Sequence, residues 1–339
     1  MTAVVDSGIT NLGGYRDLSS LAAGSYTVSV VRLLTGSDRA SLAPDESVEA
    51  FALEADLPVG SADTITVAVL PAVRGSLLTN EWSFTPGYYG QYPYKTGGFW
   101  ELYNNADTTL YLDGLILGEG FLQTIETIRS CSTAASEFLA SDGVWVAQLN
   151  QFPGTGYDYP VLPGHAVVVA TDAIDHSSLF KNALDLRSAN FEFTGPADVD
   201  NPDVPNLIWL GPGQSIDGHG ESFFSLGGVP VVARRLDTAM LARKADGFGN
   251  TYWKVPAGDL IDVAALRYYD TFGHPKCPAL VNPAISLDVS DGGYGPDPFL
   301  VSQHRRVLYS RSDGQMVLLN TRSSRTNFID GARTPGIIP

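Results

Sequence analysis

The stretch GGFWELYNNADTTLYLDGLILG, Gly97 to Gly118, decides how the chain is read. It sets Glu101, Asn104, Asn105, Asp107 and Asp113 into an otherwise apolar and aromatic run, as either a reactive cluster or a β reversal would. Alternate side chains of an extended strand share a face. Trp100 and Leu102 therefore lie together, and Leu110 and Leu112 can lie opposite them if Asn104 to Thr108 reverse the chain. Asn and Asp suit that reversal because they accept left-handed backbone angles and bond their own main chain. Gly114 then permits a bulge or close packing. Each polar residue of the stretch has a structural job, so fold grammar is the expectation and not a reactive site.

The same period runs outward in both directions. SYTVSVVR (Ser25 to Arg32), SVEAFALEADL (Ser47 to Leu57) and TITVAVLPAV (Thr64 to Val73) alternate with a β-branched bias and are separated by turn signals. Residues 1–75 therefore read as a small antiparallel β unit. Beyond it, short strand candidates recur at LLTNEWSF, VWVAQL, HAVVVATD, NLIWLG, VPVVARRL, DLIDVAALRYY, RVLYS and MVLLN. That spacing predicts an all-β sandwich over residues 76–339. Two segments, around 121–139 and 236–244, are read as helical.

Composition narrows the function classes. The 339 residues are 44% hydrophobic and 17% charged, which suits a folded chain with a sizeable core. Twenty-one basic against 37 acidic residues leave a formal charge of −16, so nucleic acid and anionic membrane surfaces are excluded as partners by the average field. No run of residues is long and apolar enough to span a bilayer, and MTAVVDSGITNLGG does not read as a leader. Export would then use a leader that precedes Met1 or has been removed. Cys131 and Cys277 are compatible with one long-range disulfide or with two separate thiols.

WELYNNADTTLYLDGLILG resembles the signature hairpin of lamin-tail-like domains, immunoglobulin-type sandwiches appended to bacterial surface and secreted proteins. GGYRDLSSLAAGSYTVSV, Gly13 to Val30, resembles the strand, loop and strand of small immunoglobulin-like or transthyretin-like modules, which usually carry one or two more strands before this point; with about a dozen residues in front of it here, the resemblance implies a module short of a strand, with an unpaired sheet edge that a neighbour's strand can fill. LPGHAVVVATDAIDH, ALDLRSANFEF, DVDNPDVPNL and LLNTRSSRTNF are similar to segments of an uncharacterised family of bacterial exported lipoproteins, in which this body follows a carboxypeptidase-regulatory-like module. The resemblance implies a small immunoglobulin-like sandwich followed by a larger lamin-tail-like one, and an extracellular or cell-surface location. It implies no activity.

Chemistry is sparsely signalled. Asp198, Asp200 and Asp203 in DVDNPDVPN offer hard oxygen ligands for Ca2+, although their spacing is not that of an EF-hand and prolines stiffen the loop. GGYGPDPFL is one copy of a calcium nonapeptide that works only in stacked repeats. Ser215, Asp217 and His219 are close in sequence, but alternate residues on one loop point apart, and the nucleophile-elbow pattern fails. His176 beside Asp175 reads as a turn. The aromatic loop TPGYYGQYPYKTGG, with Tyr88, Tyr89, Tyr92 and Tyr94 and the preceding Trp82, suits the flat faces of sugars. These readings converge on a non-enzymatic exported structural or adhesive protein. It is expected to self-associate through its termini or a sheet edge, without a cofactor. The alternative is a carbohydrate-binding module. The closing GARTPGIIP reads as an extended apolar tail with nothing in sequence to pack on.

Overall fold

The alternating segments of the sequence become strands where the structure describes them. The computed structural model describes residues 6–18, 21–35, 37, 48–60, 64–83, 87–89, 92–94, 96–120, 130–179, 183–194, 200–212, 229–247, 249–267, 281–282, 292–293 and 301–338. Strands β1 (Gly24–Leu33), β2 (Val48–Val59) and β3 (Leu70–Val73) form an antiparallel sheet in that order, sheet I. The third strand is shorter than its alternation suggests, because residues 64–69 lie outside the ladder.

Next come β4 (Leu77–Ser83), the hairpin β5 (Gly87–Tyr89) and β6 (Tyr92–Tyr94), β7 (Phe99–Asn104), β8 (Leu110–Tyr111) and β9 (Ile116–Gly120). Helix α1 (Cys131–Phe138) precedes β10 (Gly143–Gln151), β11 (Pro160–Val161), β12 (Ala166–Ala170), β13 (Phe191–Glu192) and β14 (Ile208–Pro212). They are followed by β15 (Pro230–Ala233), β16 (Arg243–Ala245), β17 (Thr251–Pro256), β18 (Leu260–Val263), β19 (Leu266–Arg267) and β20 (Gly292–Gly293). Strands β21 (Ser302–Arg305), β22 (Val307–Ser310) and β23 (Met316–Leu318), the single turn α2 (Ser324–Asn327) and β24 (Phe328–Gly331) complete the order.

Two larger sheets result. Sheet II runs β16-β17-β10-β9-β15-β18, with β14 pairing the second half of β10 beside β17. Sheet III runs β13-β12-β7-β4-β21-β24, and only its β12–β13 pair is parallel. Trp82, Trp100 and Leu102 of sheet III share one core with Leu117 and Val232 of sheet II, so the two sheets face each other. Trp82 and Trp100 meet edge to face at 5.0 Å between ring centroids, the geometry that the ring quadrupoles favour. The chain is thus a mostly β protein with several sheets.

The opening stretch does not fold as a hairpin. Strand β7 lies between β4 and β12, and the chain then crosses to the facing sheet, where β9 pairs with β10 and β15. Leu102 and Leu112 do meet, but across the core between two sheets and not across one ladder. Of the helices read from sequence, α1 starts at Cys131, capped by the Ser130 hydroxyl accepting from the amide of Thr133. Residues 238–240 make only a single 3-10 turn before β16, and 121–129 lie outside the described residues.

Sheet I leans on the body. Ala50, Ala52 and Ala72 bury against Leu319, and the Val73 amide donates to Asn320 O at 2.8 Å. Gly75 turns the chain between β3 and β4 at φ +66, where a Cβ would lie 2.8 Å from Leu78 Cδ2. Only glycine meets both conditions without strain.

Candidate functional site

One buried cluster stands out, and it is built by a bulge. Trp82 pairs with Trp100 and Thr79 with Leu102 on the core face, but the register shifts between Thr79 and Glu81. A bulge reverses the parity of the strand beyond it. Glu81 and Glu101, directly opposite each other, therefore point to the outer face of sheet III while the tryptophans beside them point inward. The same register line continues to Val168 on β12, to His304 on β21 and to Ile329 on β24. Both carboxyl groups are fully buried.

Residues 332–336 account for that burial. The segment beyond β24 crosses β21, β4 and β7 and turns at residues 335–336, and each of those strands holds one residue of it. His304 Nε2 lies 2.6 Å from Ala332 O. The Thr334 amide donates to Glu81 Oε1 at 2.9 Å, and its hydroxyl donates to Oε2 at 3.1 Å. The Gly336 amide donates to Glu101 Oε2 at 2.6 Å, while the Asn80 side chain, displaced by the bulge, donates to Oε1 at 2.6 Å. Ser302 donates its hydroxyl to Glu81 and lies 2.9 Å from His304 Nε2. A Cβ on Gly331 would sit 2.5 Å from the His304 ring, so glycine is required where the tail leaves the sheet. Burial pushes the Glu101 carboxyl up to about 7, helped by the charge of Glu81 and opposed by the Asn80 and Gly336 bonds. Arg333, partly buried beside Glu81, is lowered by its own burial. The tail thus packs on its own chain, where sequence alone suggested no surface for it.

The inner face of the same strands is pinned by an ion pair. Arg305 is buried, with its Nη2 2.7 Å from Asp262 Oδ2 on β18, and it donates from Nε to Thr79 O at 2.6 Å. Asp262 Oδ2 also accepts the Thr79 amide at 2.8 Å. Two sheets and three strands are tied at one point. In sequence Arg305 stands beside a second arginine, Arg306. The Arg305 guanidinium is internal, stacked 4.7 Å over Phe328.

The polar residues of the opening stretch have identifiable partners. Asn104 donates to Thr108 O and Val161 O and accepts the Ala106 amide. Asn105 binds Arg74 O and the Leu318 amide. Asp107 pairs with Arg74 and Arg311. Asp113 accepts the amides of Gly156, Asp158 and Tyr159, which hold its carboxyl at about 2. Glu101 alone belongs to the buried cluster. The sequence reading missed Glu81, Ser302 and His304, and the available signal was a glutamate inside the apolar strand LLTNEWSF.

Other expected sites are not assembled by what is described. Asp198 lies outside the described residues; Asp200 accepts the Asn206 side-chain amide, and the Asp203 amide donates to Asn201 Oδ1 in a local turn. Among the described residues no three metal-ligating side chains converge. Tyr88, Tyr89, Tyr92 and Tyr94 fall on the β5–β6 hairpin, with Tyr89 opposite Tyr92. Trp82 is buried in the core, which removes it from the aromatic surface expected around it: the inward parity set by the Asn80 bulge stacks it on Trp100. Ser215, Asp217 and His219 lie outside the described residues, as does most of GGYGPDPFL. His176 is buried in a turn, its Nε2 2.9 Å from Asp172 O, and burial lowers its pKa. Cys131 is disulfide-bonded; Cys277 lies outside the described residues.

Comparison with known proteins places the chain. No curated protein matches it. Among solved structures it is similar to a DUF4876 family protein from Bacteroides thetaiotaomicron, with a TM-score of 0.59 and 15% identity over 95% of this chain and 88% of that one. At that identity the likeness speaks for the fold. Residues 162–333, just over half of the chain, match the family described as "Protein of unknown function (DUF4876)", a span that holds His304, Ser302, Arg305, Asp262 and the start of the tail. The chain belongs to the DUF4876 family.

Proposed function

We propose that this chain is a non-enzymatic exported structural or adhesive protein that self-associates through its termini or an open sheet edge, as a subunit of an extracellular filament or surface assembly. The observation that carries the reading is at the N-terminal end. Ile9, Leu12, Tyr15 and Leu18 stand 92%, 111%, 68% and 42% exposed in one segment, and β1, which follows, is an edge strand of sheet I among the described residues. Val31 and Leu33 are also exposed on its face. Apolar side chains of this number are costly in water, and an edge strand is a template for a neighbour's strand. The disulfide at Cys131 suits an oxidising, extracellular or cell-surface compartment. We read sheet I as the carboxypeptidase-regulatory-like, immunoglobulin-like module of residues 1–75, and sheets II and III as a lamin-tail-like sandwich over 76–339. Sedimentation across a concentration series tests the reading. The full chain is expected to associate, and Ile9→Ser/Leu12→Ser/Leu18→Ser to remain a monomer; equal sedimentation of both would count against it.

A second reading, extracellular carbohydrate binding, is favoured by the β5–β6 hairpin, which carries four tyrosines on a two-stranded sheet of its own. A glycan array probed with Tyr89→Ala/Tyr92→Ala protein separates the two, since loss of a specific signal would move the assignment there.

A further inference from the structure

We infer that the corner formed by Tyr111 and Tyr157 is a contact site for neutral sugars, in which a ring stacks on the apolar face of a pyranose and Asp158 accepts from its hydroxyls. The inference stands apart from the self-association proposed above, and it uses a different end of the molecule from the β5–β6 hairpin. That hairpin leaves sheet III between Ser83 and Phe99, whereas β8 follows the opposite end of β7, beyond Asn104.

The corner is built and held, although it is open to water. Tyr157 is 80% exposed and Tyr111 39%, yet their rings meet edge to face, 4.9 Å between centroids and 82° between planes. The loop that carries Tyr157 is wound around one carboxylate. Asp113 accepts the amides of Gly156, Asp158 and Tyr159, which lie on both sides of Tyr157. A Cβ on Gly154 would clash with that carboxylate, so only glycine lets the loop close so tightly. Tyr111 is fixed by its own ladder, where it lies opposite Pro160 of β11. Both rings are therefore placed before a ligand arrives, which lowers the ordering cost of binding. Fixing Tyr157 adds almost nothing to the core, because so little of its side chain is covered.

The polar group next to the rings is an acceptor. Asp158 Oδ2 takes the Thr155 amide at 2.8 Å and its hydroxyl at 2.9 Å, while Oδ1 has no hydrogen-bond partner among the described residues. A ring face beside an open carboxylate oxygen suits a ligand with a C–H face and O–H donors. Asp158 and the formal charge of −16 disfavour acidic sugars. A cation could also lie over a tyrosine face, but that attraction is strong only where the cation is desolvated, and both rings here are open to water. A pyranose needs one face covered and keeps its outer hydroxyls hydrated, as an open corner permits.

The test is calorimetric titration of the whole chain with cellohexaose, maltohexaose, xylohexaose and mannohexaose. At least one is expected to bind saturably. Tyr157→Ala is expected to weaken that binding about ten-fold or more, and Tyr157→Trp, which retains a flat ring, to preserve it. Asp158→Asn is expected to weaken it less. If Tyr157→Ala loses its cooperative melt, Tyr157→Leu, which retains apolar bulk without a flat face, takes its place with the same expected loss. Saturable binding of none of the four sugars overturns the site. Binding that survives at Tyr157 but is lost in Tyr89→Ala/Tyr92→Ala protein overturns it in favour of the hairpin, and Tyr157-dependent binding of tetramethylammonium alone overturns the sugar class. Sedimentation of the chain is indifferent to all of these results, so the two proposals fail separately.

Discussion

Titration of Glu101 changes the stability of the fold in a direction fixed by its surroundings. An unfolded glutamate loses its proton near 4.5, whereas the buried carboxyl keeps it to about 7. Between those values the native state holds a proton that the unfolded chain has released, so stability falls as pH rises, and the contribution is fully present only below the unfolded value. Each pH unit of that interval is worth about 1.4 kcal/mol, which makes the fold about 3 kcal/mol less stable at pH 8 than near pH 4.5 on account of this group. His176, whose burial lowers its pKa, acts in the opposite sense below its unfolded value near 6.5. Comparing wild type with Glu101→Gln cancels it. Urea unfolding of both proteins from pH 5 to pH 8 should show a difference that changes by about 2–3 kcal/mol over the range. A constant offset would mean that Glu101 does not titrate there, and would refute the argument that burial outweighs the Asn80 and Gly336 bonds.

The remaining expectations follow from single contacts. Asp262→Ala leaves the Arg305 guanidinium buried without its partner and should cost about 3–5 kcal/mol in unfolding free energy by denaturant titration. Leu319→Ala empties the contact that holds Ala50, Ala52 and Ala72, and should destabilise by about 2–5 kcal/mol while speeding amide exchange in β2 and β3. Trp82→Ala should cost about 3–5 kcal/mol by thermal melt without a selective effect on any glycan signal, because the ring is inside the core. Cys131→Ser should lower stability by about 2–4 kcal/mol under oxidising conditions and by nothing measurable against reduced wild type.

Strand existence was legible in the sequence, and strand partnership was not. FWELYN and LLTNEWS alternate clearly enough to be placed within a residue of β7 and β4. Alternation carries no information on which strand lies alongside, so the stretch after β7 was read as returning on itself when it crosses to the facing sheet. The buried glutamates were hidden for a more local reason. The bulge at Asn80 changes the parity of β4, and nothing in TNEW marks where the extra residue falls. Nothing in the sequence marked Arg305 as buried, because its partner, Asp262, is 43 residues away. The tail, read as extended, instead turns at residues 335–336, where the Ile337 amide donates to Thr334 O and Gly336 takes a φ of +77. Its acceptor surface was invisible because it is assembled from β4, β7 and β21, strands that only the fold makes neighbours.

Self-association is the central proposal, and electron microscopy of the full-length protein tests it most directly. Wild-type protein is predicted to form regular filaments or surface arrays. Ile9→Ser/Leu12→Ser/Leu18→Ser protein is predicted to give separate particles. Monodisperse particles in both samples would contradict the account and move the function to the tyrosine hairpin.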